Sequence, residues 1–140
     1  MQPRVRHMLE QVGLDPRRVP ASNVVFARSS RKSSFDGDMA AHAEDTWPFH
    51  QAVIEKLGAR VILCLGSVSG EFVRRKLGAH AFVDSFVEAN KRGWTSTLHR
   101  NPAGLHVLTA THPSIANWLN PLTDPTPLLR RALSESVSAL

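Results

Sequence analysis

The spacing of apolar residues along this chain alternates between helical and extended patterns. Near the N-terminus Val5, Met8, Leu9 and Val12 fall on one face of a short amphipathic helix. Gly13 and the Leu14-Asp15-Pro16 turn close it. Val24, Val25 and Phe26 then predict a strand over about Ser22–Arg28. Residues Ser29–Asp45, rich in Ser, Asp, Arg and Lys, show no period and predict a long loop. Thr46-Trp47-Pro48 opens a helix, with Thr46 as cap, Pro48 in its first turn, Val53, Ile54 and Leu57 inward, and Gly58 as its stop.

Val61–Leu65 is an unbroken apolar run, the pattern of a strand covered on both faces. Gly66-Ser67 turns the chain into a helix that buries Phe72, Val73 and Leu77 and carries Arg74, Arg75 and Lys76 outward or at its end. Ala81–His99 fits either a helix or a strand, with a short extended piece at Gly93–Thr97. A strand over Leu105–Thr111 follows, and Asp124-Pro125 caps a last helix bearing Leu128, Leu129, Leu133 and Val137. Such alternation predicts an α/β domain, a short and mostly parallel sheet with helices on both faces, spanning residues 1–140 as one unit.

Composition narrows the partners. Seventeen Lys and Arg against twelve Asp and Glu leave a net charge of +5, which suits a polyanion such as DNA. No segment approaches a membrane span. The single cysteine, Cys64, excludes an intramolecular disulfide and an all-cysteine metal or iron–sulfur site, and a cytoplasmic compartment is expected. His42, His50, His80, His99 and His106 show no metal-ligand spacing, and His106, within a strand, reads as a surface or edge residue. No metal or cofactor is expected.

The segment richest in chemistry is GLHVLTATHPSIANW, residues 104–118. Its apolar strand stops at Thr111-His112-Pro113-Ser114, so the imidazole of His112 stands at the carboxyl end of a strand, where open α/β sheets bind ligands. Pro113 keeps His112 out of the helical region. The plain alternative is a histidine that merely ends a strand.

Taken in order, SNVVFARS, LCLGSVSG and THPSIANW resemble the uracil-DNA glycosylase superfamily, and the likeness extends from about Leu9 to Arg131. The resemblance implies a three-layer α/β/α fold that binds DNA and holds a base rotated out of the duplex, with hydrolysis of the N-glycosidic bond in base-excision repair as the associated activity. It implies that the Asn23 amide reads the base edge, against the plain reading of an Asn capping a turn. His112 matches the histidine that donates to the uracil carbonyl oxygen as the bond breaks. Gly66 and Ser67 match a turn that holds a DNA phosphate, against a simple helix cap, and Ser114 resembles a further phosphate contact. After His112, Ile115 or Trp118 would serve as the wedge in the opened stack, with a core anchor as the other reading of Trp118.

The chain departs from the family at its start. The first family strand and the Gly-rich loop that positions the catalytic water have no counterpart before Asn23, and Asp15 precedes a strand rather than following one, so it is rejected as the base. A late start, a fragment and a reduced fold all fit this departure. The family's iron–sulfur branch is excluded, since Ala27 and Thr46 stand where its middle cysteines would fall. A non-catalytic nucleic-acid or nucleotide-binding remnant is the alternative reading.

Overall fold

A computed structural model describes residues 2–26 and 38–138 of the chain. The described residues form helices α1 (Gln2–Gln11), α2 (Met39–Leu57), α3 (Ser67–Leu77) and α4 (Thr126–Ser138), and strands β1 (Val61–Leu65), β2 (Ala81–Val87), β3 (Thr95–Arg100) and β4 (His106–Ala110). They fall into two compact units, residues 1–19 with 60–140, and residues 20–59.

The larger unit has the expected α/β architecture. Its sheet runs in the order β1-β4-β3-β2. Alternate residues of a strand point to opposite faces, and β4 shows what each face meets. Leu108 and Ala110 join a core with Met8 and Leu9 of α1 and with Leu128, Leu129 and Ala132 of α4. Thr109, on the opposite face, lies against Gly70 of α3, so closely that a Cβ on that glycine would come within 2.7 Å of Thr109 Cβ. Helices therefore cover both faces, giving three layers.

The sheet is mixed rather than mostly parallel: β1 pairs with β4 in parallel, while β4–β3 and β3–β2 are antiparallel. The ambiguous stretch 81–99 is the cause. It forms a hairpin, β2 and β3, whose turn holds Gly93 at φ 57°, and a hairpin fixes antiparallel pairing. The continuous apolar run of β1 proves to be an edge of this sheet and only half-buried along most of its length. The strand closed in on both faces is β4.

His106 corrects another expectation. It opens β4 but is 1% exposed, because its side chain points under α4, where Nε2 donates to Glu135 at 3.1 Å and Ser136 Oγ lies 3.4 Å from Nδ1. Arg131 bonds the same Glu135 and reaches Asp84 of β2, both at 2.8 Å, tying α4 to the sheet's far strand. The last helix begins as expected, Asp124 accepting from the backbone N–H and hydroxyl of Thr126. Of Val137 only the backbone is described.

In the smaller unit α2 starts seven residues before the predicted cap. Asp38, not Thr46, caps it, accepting from the N–H groups of Ala40 and Ala41. The Ala-rich first turns supply helix propensity that the eye reads as aperiodic. Pro48 thus lies inside the helix. Thr46 uses its hydroxyl elsewhere, 2.6 Å from the carbonyl of Val24. Leu57 is 56% exposed rather than inward, and Trp47 and Ala43 are the buried residues of α2.

Residues 22–26 form no strand. The Val24 carbonyl is taken by Thr46 and by His50 Nε2 at 3.3 Å, and the Ser22 hydroxyl lies 3.1 Å from His50 Nδ1. Side chains of a helix thus occupy groups that a strand would offer to a neighbour. The remainder of the predicted strand, residues 27 and 28, and residues 29–37 of the predicted loop lie outside the described residues.

Candidate functional site at the carboxyl ends of two parallel strands

The parallel neighbours β1 and β4 end side by side, Leu65 opposite Ala110. From there the chain leaves β1 into α3 on one face and leaves β4 towards α4 on the other. Adjacent parallel strands whose connections diverge in this way leave a crevice between them, the usual ligand position in open α/β sheets. Gly66 closes one side of it. Its N–H donates to the Ala110 carbonyl at 2.8 Å, and its φ of 99° is one that side chains rarely adopt.

His112 closes the other side, half-buried. A Cβ on Gly66 would stand 3.5 Å from His112 Cδ2, so the ring lies over the start of α3. Gly66 and His112, 46 positions apart in the sequence, are therefore neighbours. No side chain caps α3, and Ser67, its first residue, is exposed beside Gly66. A helix start of this kind favours anions through its unpaired N–H groups and its dipole.

The backbone on either side of His112 is anchored by several hydrogen bonds. Thr111 N–H donates to the buried hydroxyl of Ser96 at 3.0 Å. The N–H groups of Ile115 and Ala116 both reach the His112 carbonyl at 3.1 Å. Arg4 of α1 donates to the Pro113 carbonyl, and Arg92 to that of Ile115 at 3.2 Å. Arg92 also stacks 4.0 Å over the Trp94 ring and pairs with Glu88 at 3.6 Å. Glu88 is 3% exposed, its Oε2 accepting from Asn90 at 2.8 Å while its Oε1 has no protein partner. Sequence reasoning missed Arg4, Ser96, Glu88 and Arg92. Each acts through a contact 15 to 109 residues distant or through a buried pair, and no local motif marks them.

The ring's chemistry is set by Ser114. Its N–H donates to His112 Nδ1 at 3.1 Å, and its hydroxyl lies 2.7 Å from the same nitrogen. An Nδ1 that accepts a backbone N–H carries no proton in the neutral imidazole, so the proton sits on Nε2. His112 is thus a hydrogen-bond donor through Nε2. Ser114 itself is exposed, as is Ile115 at 54%. Trp118 is fully buried in the core beneath the loop, which makes it an anchor and removes it as a wedge.

Asn23 belongs to the smaller unit. It is exposed, and its neighbours Ser22 and Val24 are both fastened to α2 through His50 and Thr46. Asp15 is occupied in capping a 3-10 turn, accepting from Arg17 N at 3.0 Å. No group of three metal-ligating side chains occurs among the described residues, and no helix there is long and apolar enough to cross a membrane. Compared with known proteins, the chain matches no family model, no curated protein and no solved structure.

Proposed function

We propose that this chain is a uracil-DNA glycosylase-like protein that binds DNA and recognises a base turned out of the helix. The observation that carries the reading is the fixed tautomer of His112, an Nε2–H donor at the carboxyl end of β4 beside the uncapped start of α3. A pyrimidine carbonyl oxygen gains negative charge as the glycosidic bond lengthens. A donor held in place before that charge develops lowers the barrier, and such a donor contributes on the order of 10² to 10³ in rate.

In this reading Gly66, Ser67 and Ser114 take DNA phosphates at the crevice rim, and Ile115 enters the vacated stack. The net charge of +5 favours the polyanion. An oligonucleotide carrying a single uracil tests it: abasic sites should form, and His112→Ala should lower their yield about 10²-fold or more. A folded protein that yields none is no glycosylase.

One observation favours the second reading, a domain that binds nucleic acid without cleaving it. Glu88, the carboxylate linked to the His112 loop through Arg92, is shut away from solvent and cannot hand a water to a substrate. Under that reading duplex affinity falls steeply with salt while no base is released.

A further inference from the structure

The end of the sheet remote from His112 holds a second recess. Because β3 runs against β4, Arg100 at the end of β3, Ala81 at the start of β2 and the turn Asn101–Gly104 gather beside the last turn of α3. They border an open depression of about 460 Å³, lined by Gly78, His80, Ala81, Arg100, Asn101 and the three residues that follow.

Two of the lining groups, the Arg100 guanidinium and the His80 imidazole, are hydrogen-bond donors suited to an anion. Arg100 and His80 are exposed and make no side-chain hydrogen bond or ion pair among the described residues, and no carboxylate lines the recess. Asn101, by contrast, is fully committed. Its amide donates to the Leu77 carbonyl at 3.1 Å and its oxygen accepts from Leu105 N at 2.9 Å. These bonds, with Gly104 at φ 87°, fix the turn that forms one wall. Pro102, Ala103 and Ala81 supply small apolar surface beside the charges.

The neighbourhood is positive beyond the lining. One residue before Arg100, His99 is 8% exposed with no partner for Nδ1 among the described residues, and its pKa is pushed below the ordinary imidazole value, first by burial and then by the charges of Arg74 and His80. A guanidinium fork and an imidazole N–H lining one recess offer donors that suit the several oxygens of a phosphate group better than the single plane of a carboxylate.

We propose that this recess binds a phosphate group, held by Arg100 and His80. The phosphate belongs either to a free monoester, whose organic part the Pro102-Ala103 wall accommodates, or to a polynucleotide backbone. The site lies at the opposite end of the sheet from His112 and stands or falls independently of the glycosylase reading.

The test is an amide NMR titration of the full ¹⁵N-labelled chain with three probes: inorganic phosphate, deoxyadenosine monophosphate and a short uracil-free duplex. Shifts are expected in 78–81 and 100–104. R100Q and H80Q should each weaken binding about tenfold or more, equivalent to about 1.4 kcal/mol, while R17Q, a cation away from the recess, leaves it unchanged. Saturation by the monophosphate identifies a monoester ligand, and response to the duplex alone identifies the backbone. If R100Q loses its native spectrum, H80Q and R100K carry the comparison, with R100K expected to retain part of the affinity. Shifts confined to other surfaces with all three probes, or R100Q and H80Q binding as the parent does, would overturn the proposal.

Discussion

Ser114 sets the proton of His112: its backbone N–H meets Nδ1 at 3.1 Å, so the Nε2 side of the ring is left as the donor. Because the contact is made by the backbone, Ser114→Ala should keep it. Long-range ¹H–¹⁵N spectra of the neutral ring are expected to show the proton on Nε2 in both the parent and Ser114→Ala. A proton found on Nδ1 in the parent would remove the donor on which the base-recognition reading depends.

Ile115 and Trp118 stand three residues apart and do opposite work. Trp118 is wholly buried among α1, α4 and β4 side chains, whereas Ile115 is 54% exposed. Trp118→Ala should cost about 3–5 kcal/mol in urea unfolding, from lost burial and the cavity left behind. Ile115→Ala should change stability by no more than about 0.5 kcal/mol and, under the proposed function, weaken binding to a uracil-containing duplex. The reverse ranking in stability would put the wrong residue in the core.

Arg92 covers a carboxylate that has little other company. Removing it by Arg92→Ala leaves Glu88 buried with Asn90 alone on Oε2, and frees the Ile115 carbonyl. Loss of a partner by a buried acceptor costs about 1–3 kcal/mol. Adding Glu88→Gln removes the stranded charge and should restore part of that loss. A double variant less stable than Arg92→Ala would show that Glu88 is stabilised by something other than Arg92.

Cys64 gives the alkaline limb of the stability profile. Burial on the α3 side of β1 pushes its thiol up from the ordinary 9.0 to about 12. Between those values an unfolded chain has released the proton that the folded one retains, so stability should fall as pH rises, by on the order of 1 kcal/mol per pH unit. Cys64→Ala lacks this slope, and the difference between the two urea midpoints measures it. In the native state the same burial should make the thiol react with alkylating reagents only as fast as the fold opens.

The helices were legible wherever apolar spacing or a capping residue marked them. Met8 and Leu9 face the core as their spacing demands, Gly58 and Gly78 stop their helices in left-handed conformations, and Asp124 caps the last one. The start of α2 was hidden because a run of Ala, His and acidic residues has helix propensity without an apolar stripe. The segment at Val24 has strand composition, yet the nearest available donors were Thr46 and His50, and those bonds decided its shape.

What the order of residues determined by itself is local: the α/β alternation, the apolar strand that ends at His112, and the Gly-Ser start of the helix after β1. Those depend on side-chain volume, backbone freedom and capping, which act over a few positions. Tertiary structure alone decided that β1 and β4 lie in parallel contact, that Gly66 meets His112, that His106 is buried under Glu135 and Trp118 lies in the core, and that Arg4 and Arg92 grip the loop. Pairing and burial are settled by competition among all strands and apolar faces at once, and no short stretch of sequence contains that outcome.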